Sequence, residues 1–290
     1  MKATEKPMTG TDDMAALPAK KHWFCRDMGA EITTIDLLKA VAILTMVVDH
    51  IGYYFIADSD WWRMVGRFSA PLWLFLIGYA RSRDIPMRLI ACAVLLVLVD
   101  AATMQPLLPI NILLTIILTR LALPILTRPA LLQQDNILVV LLLLACLGVP
   151  TWFSFEYGTI AFLFALFGYQ VRQGTANYVQ LGSVIGVTVL VYALWQQLAF
   201  DFNTLQTWIV GIGTLALMLG LLRFRNQPIP NTADIPVLSS LARLTGRYTL
   251  EFYTIHLVIF GVLAFWLADH QEFRILISPL SEAAVEAAAK

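Results

Sequence analysis

Four ionisable residues, Asp36, Lys39, Asp49 and His50, stand within one apolar stretch running from Ile35 to Ile56. A run of that length and apolarity predicts a membrane span. Charge inside a span is costly and marks a functional site by default. Eleven residues separate Lys39 from His50. At about 100° per residue the two return to within about 20° of one helix face, roughly 16 Å apart along the axis. One face thus carries a cation near one end and an imidazole well past the middle. A histidine titrates near neutral pH and is the usual general base toward an amine or a hydroxyl. Such a face suits an enzyme that moves a group through a membrane.

The elements that must hold these residues are helices. Of 290 residues, 59% are hydrophobic and only 14% charged, against about 25% charged in a soluble domain. The expected class is all-α, a polytopic transmembrane bundle of about nine to ten spans. Hydropathy places nine spans at 35–57, 65–80, 87–105, 107–126, 136–152, 156–171, 178–200, 205–223 and 248–268. The segment 236–246 is too short to span and is expected at the interface. Residues 1–30 are expected to form a cytoplasmic tail, 31–270 a single transmembrane domain and 271–290 a short C-terminal tail. The apolar stretch after the basic residues Lys20, Lys21 and Arg26 is too long for a signal peptide. The best hinge candidate is 224–235, with its Pro and Asn residues. Cys25, Cys92 and Cys146 lie far apart, which suggests neither a disulfide framework nor a metal site.

Orientation follows from the cations of the loops. With the N-terminus inside, Arg81, Arg83, Arg88, Arg128, Arg172, Arg223, Arg225 and Arg243 all fall in inner loops. Asp58, Asp60 and Asp201 fall outside, with Arg63 the main exception, and Trp61, Trp62 and Trp152 sit at outer ends. Depth then sorts the polar residues into two groups. Asp49, His50, Arg67, Asp100 and Glu156 share the outer half, drawn from four spans. Asp36, Lys39, Arg120, Arg247 and Glu251 lie on the inner side, and His256 somewhat deeper.

At the outer group the chemistry expected is proton transfer by His50, with Asp49, Asp100 or Glu156 orienting the imidazole. Asp49 is adjacent in sequence and points about 100° away on an ideal helix. Arg67 would stabilise an oxyanion or hold a carboxylate. At the inner side Lys39, Arg81, Arg83 and Arg120 suit phosphates. Each has a plainer reading. Asp36 and Lys39 make an i,i+3 pair near a helix start, and Arg81, Arg83 and Arg88 are what the positive-inside bias supplies. His256, within FYTIH, reads more simply as a hydrogen-bonded residue between helices. Gly52, Gly66, Gly78 and Gly246 read as packing or turn glycines.

The run ILTMVVDHIGYYF (43–55), followed by GRFSAPLWLFLIGYARSR (66–83), resembles the signature of the TraX family, known for acetylating the amino terminus of conjugative pilin. The match covers 35–83, with an echo in TLEFYTIH at 249–256. A more distant likeness is to the integral-membrane acyltransferases that acetylate surface glycans, acyltransferase family 3. Asp36, Lys39 and His50 stand at that family's Asp-x-x-Arg and His spacing, FLIGY (75–79) at its Phe-x-x-Ser-Gly segment, and 244–256 at its closing motif. Lysine stands in place of its arginine and Ile77 in place of its serine, and lysine lacks the bidentate fork.

The resemblance implies acyl transfer from acetyl-CoA on the cytoplasmic side to an acceptor at the outer face of a bacterial inner membrane. His50 would deprotonate the acceptor, oriented by Asp49 or Asp100, with Arg67 on the acceptor or the oxyanion. Asp36, Lys39, Arg81 and Arg120 would line the donor path. The expected partners are the acyl-CoA donor, a pilin or glycan acceptor and membrane lipid, with no metal and no nucleic acid, and a homo-oligomer is left open. The alternatives are O-acetylation of a surface glycan and a proton-coupled transporter using Asp49, His50, Asp100 and Glu156 as a relay; missing inverted repeats count against the latter.

Overall fold

The computed structural model describes residues 32–56, 59–229 and 236–269. The expectations for 1–30, for 271–290 and for the second half of the 224–235 hinge fall outside these residues. Among the described residues eleven helices follow one another: α1 (Thr34–Phe55), α2 (Asp60–Gly66), α3 (Ser69–Tyr79), α4 (Met87–Ala102), α5 (Ile112–Leu126), α6 (Gln134–Trp152), α7 (Ile160–Gln173), α8 (Tyr178–Phe200), α9 (Thr204–Leu221), α10 (Pro236–Arg247) and α11 (Thr249–Asp269). Strands are absent among the described residues, where only isolated bridges such as Thr33 to Pro228 occur.

Local chemistry sets several helix starts. Thr33 caps α1 in a capping box with Asp36, Asn177 caps α8 with Gln180, and Asn203 caps α9 with Gln206. Each pair satisfies two backbone donors that a helix start otherwise leaves open. Asn111 caps α5 and also donates from Nδ2 to the Ala93 carbonyl of α4 (3.1 Å), tying the two helices together.

The interior is built on α3 and α7. Every residue of α3 from Ser69 to Gly78 except Trp73 is buried, as is most of α7. Their backbones touch: a Cβ on Gly78 would run into the Ala165 carbonyl, and one on Gly168 into the Phe75 carbonyl. Small residues permit this approach where both partners sit in an apolar medium. The outer helices instead expose leucines and valines such as Leu44, Leu98, Val139, Leu143, Leu190 and Leu198. Apolar surface on that scale marks a lipid-facing protein rather than a water-facing one. By length and composition α6, α8, α9 and Thr249–Ala268 of α11 can each cross a membrane.

Three expected spans change shape. The stretch 65–80 is two helices, because the chain turns at Arg67 and Phe68 between α2 and α3. Residues 153–159 form a loop, so α7 starts at Ile160 rather than 156. The segment 103–111 is also non-helical, and α5 starts at Ile112 rather than 107. Both loops hold polar residues that a helix would have aimed elsewhere.

Candidate active site

A cavity of about 360 Å³ opens where α1, α4, α6 and α8 end. All five outer residues singled out from the sequence line it: Asp49, His50, Arg67, Asp100 and Glu156. Arg63, Tyr53, Tyr54, Tyr157, Phe200 and Tyr253 complete much of its wall. Its volume falls within the ordinary range for small-ligand sites.

The histidine is held by another histidine. His50 Nδ1 lies 2.7 Å from His256 Nε2 across the α1–α11 contact, and His256 Nδ1 lies 2.8 Å from the Phe252 carbonyl. A carbonyl only accepts, so His256 Nδ1 carries the proton and its Nε2 is an acceptor. His50 Nδ1 must then donate, and neutral His50 keeps a bare Nε2. Of the two rings only His50 lines the cavity. The orienting group is therefore His256, and the carboxylate expected in that role is engaged elsewhere.

Asp49 faces α2. Its carboxylate pairs with Arg67 Nη2 through Oδ2 and with Arg63 Nη1 through Oδ1, the latter at 3.1 Å. Arg63 Nη1 also donates to the Asp49 carbonyl at 3.2 Å. Gly66 makes this possible, since a Cβ there would collide with the Asp49 side chain. Arg67 is 4% exposed, donates from Nε to the Arg63 carbonyl and from Nη1 to the Tyr157 hydroxyl, and stacks over Phe200. Its own carbonyl accepts from the Tyr192 hydroxyl at 2.6 Å. Arg67 is thus a structural cation locked in place rather than a free arm.

Glu156 is aimed by the loop 153–159. Glu156 N donates to the Ile110 carbonyl, Ile110 N to the Ser154 carbonyl, and Thr115 Oγ1 to the Glu156 carbonyl. The next residue, Tyr157, adopts φ +64°, a left-handed conformation that non-glycine residues reach only when their surroundings enforce it. Neither the Asp100 nor the Glu156 carboxylate has a hydrogen bond or ion pair to the protein among the described residues. The cavity therefore holds one carboxylate shared by two guanidiniums and two without a direct hydrogen-bond or ion-pair partner among the described residues.

The inner residues are not part of this cavity. Asp36 accepts from Thr33 N and Thr33 Oγ1, which makes it half of the α1 capping box. Lys39 follows three residues later, half-buried on the same helix. Arg120 Nη1 donates to the Asp84 carbonyl at 2.7 Å, and Arg81 is exposed. Arg83 donates to the Ile77 and Gly78 carbonyls and Arg172 to that of Ala80, so both cover the C-terminal end of α3. A helix C-terminus favours cations there. Arg88 pairs with Glu251 at 3.0 Å.

Two site residues escaped the sequence reading. Arg63 looked like an exception to the loop-charge bias, although its i,i+4 spacing to Arg67 was visible. His256 looked structural, and only the α1–α11 crossing reveals its partner.

Comparison with known proteins gives a family and one distant relative. The family model described as TraX protein matches residues 34–264. The uncharacterized protein RP591 of Rickettsia prowazekii (strain Madrid E) is 25% identical over 171 residues, 58% of this chain and 69% of that protein. No solved structure matches.

Proposed function

The chain belongs to the TraX family, and from that premise we propose that it is a membrane-embedded acetyltransferase acting on an amine at this cavity. Acetyl-CoA is the donor and a pilin amino terminus the acceptor the family suggests. The observation that carries the reading is the Phe252–His256–His50 chain, which leaves an unprotonated imidazole nitrogen on the cavity wall. Asp100 and Glu156 favour an amine over a sugar hydroxyl. An amine arrives as ammonium and compensates a carboxylate, which a neutral hydroxyl does not.

The ammonium gives up one proton to these carboxylates and on to water. The neutral nitrogen then attacks the thioester carbonyl as His50 Nε2 takes its second proton. The new C–N bond leaves negative charge on the former carbonyl oxygen. Collapse breaks the C–S bond, and His50 returns its proton to the departing sulfur. The products are an amide and the coenzyme thiol. In this reading the N-terminus is cytoplasmic and the chain makes nine passes through a bacterial inner membrane. The cavity then opens outward, while Lys39 and Arg81 face the donor's phosphates.

The test is transfer of label from acetyl-CoA carrying a labelled acetyl group, by purified protein in lipid, to an amine-bearing peptide and to a hydroxyl-bearing glycan. Label on the amine supports the reading. Label on the glycan alone moves the acceptor to a hydroxyl, and proton movement in vesicles without any transfer favours a transporter. A folded His50→Ala protein with full transfer would sink the assignment of the base.

A further inference from the structure

Arg63 and Arg67 share Asp49 unequally. One carboxylate offsets one guanidinium, so the clamp retains a surplus positive charge, and the two arginines differ in where they can present it. Arg67 uses all three of its nitrogens: Nε on the Arg63 carbonyl, Nη1 on the Tyr157 hydroxyl and Nη2 on Asp49. Arg63 uses Nη1 alone, on the Asp49 carbonyl and carboxylate. Its Nε and Nη2 have no hydrogen-bond partner among the described residues, nor do they belong to the buried unsatisfied atoms. Its side chain is 18% exposed against 5% for Arg67, and it lines the cavity. The Tyr53 and Phe200 ring centroids lie 5.0 and 5.1 Å from its Cζ. Aromatic faces at that distance hold a guanidinium by cation–π attraction without using its N–H groups.

We propose that Arg63, and not Arg67, presents the donor edge that meets the carbonyl oxygen of the acyl group as that oxygen becomes an oxyanion. The assignment rests on the acyl-transfer reading of the cavity. Asp49, Tyr53 and Phe200 fix the guanidinium before reaction, so its Nε–H and Nη2–H groups need little reorganisation when charge develops. Preorganised donors of this kind contribute through the transition state and not through substrate binding. Arg67 acts through position: it holds Asp49, and Asp49 holds Arg63.

Steady-state kinetics of the full chain in lipid, with labelled acetyl-CoA and a peptide amine, tests this. Arg63→Gln is expected to lower kcat by about 10²- to 10³-fold, with both KM values little changed. Arg63→Lys is expected to recover part of the loss, because its ammonium reaches Asp49 but presents no planar fork. Added guanidinium is expected to raise the rate of Arg63→Ala and not that of the wild type. Arg67→Lys is expected to lower the melting temperature more than any of the Arg63 variants. Near-wild-type kcat in folded Arg63→Gln overturns the proposal. Should that variant not fold, near-wild-type kcat in folded Arg63→Lys does the same. A wild-type protein that transfers no acetyl group removes the acyl-transfer reading itself, and this assignment with it.

Discussion

The two ends of α1 carry similar side chains put to different uses. At the cavity end, Asp49 pairs with Arg63 and Arg67, His50 meets His256, and Asp49, His50, Arg63 and Arg67 line an open volume. At the Thr34 end, Asp36 accepts from Thr33, and on the inner side Arg83 of the α3–α4 loop, Arg120 of α5 and Arg172 of α7 donate to backbone carbonyls. Arginine at a helix terminus finishes a fold, whereas arginine on a carboxylate inside an apolar wall is arranged for a ligand. Residue type and depth do not separate the two cases; the identity of the partner does.

The contrast can be broken most sharply at His50. His50→Ala is expected to cut transfer by about 10²- to 10⁴-fold, the range of a positioned general base, with melting temperature close to wild type. Next is Asp49→Ala, which leaves two guanidiniums facing each other. A loss of about 3–5 kcal/mol is expected from orphaning a buried pair, measured by denaturant unfolding in detergent. A loss below about 1 kcal/mol would show that the clamp is not buried in the way described.

His256→Ala comes third. Removing the group behind a working histidine is expected to cost on the order of 10- to 100-fold, and His256→Gln should regain activity because its amide oxygen accepts from His50 Nδ1. Nitrogen-15 spectra of histidine-labelled protein provide a second readout, since the chain has only four histidines. The expected state is a protonated Nδ1 on both His50 and His256; a protonated Nε2 on His50 would break the relay.

The smallest effects belong to the other end. Arg81→Gln is expected to raise KM for acetyl-CoA roughly fivefold, about 1 kcal/mol of binding, through its exposed fork. Arg83→Gln is expected to cost about 1 kcal/mol of stability with KM unchanged. Equal effects on KM would mean that the arginines on carbonyls also bind the donor.

The cavity was legible in the sequence because charge in an apolar run has few cheap explanations. Asp49, His50, Arg67, Asp100 and Glu156 come from four separate parts of the chain yet line one volume. Pair identity was less legible. Whether Asp49 faces His50 or Arg67 depends on how closely α2 crosses α1, which Gly66 decides through an approach no spacing rule contains. His256 sits 206 residues from His50, and no local pattern encodes that meeting. The breaks at 153–159 and 103–111 fall where the hydropathy spans meet, but their lengths were not legible, since backbone inside a bundle can leave the helix wherever neighbours bond it. The inner reading of Asp36 rested on spacing alone, which a capping box satisfies equally well.

The close embrace of α3 and α7 bears on how the chain is made. At 11 residues α3 is about 16 Å long, roughly half the thickness of a bilayer's hydrocarbon core. Its partner α7 begins only at Ile160, so the ribosome must deliver α4, α5 and α6 before it makes the helix that closes the groove beside Gly78. Until then α3 waits in the membrane with small residues facing lipid or the insertion machinery. Biogenesis therefore has a defined late event, and a chain cut short after α6 is expected to be recognised by quality control as unfinished, however well its earlier helices have inserted.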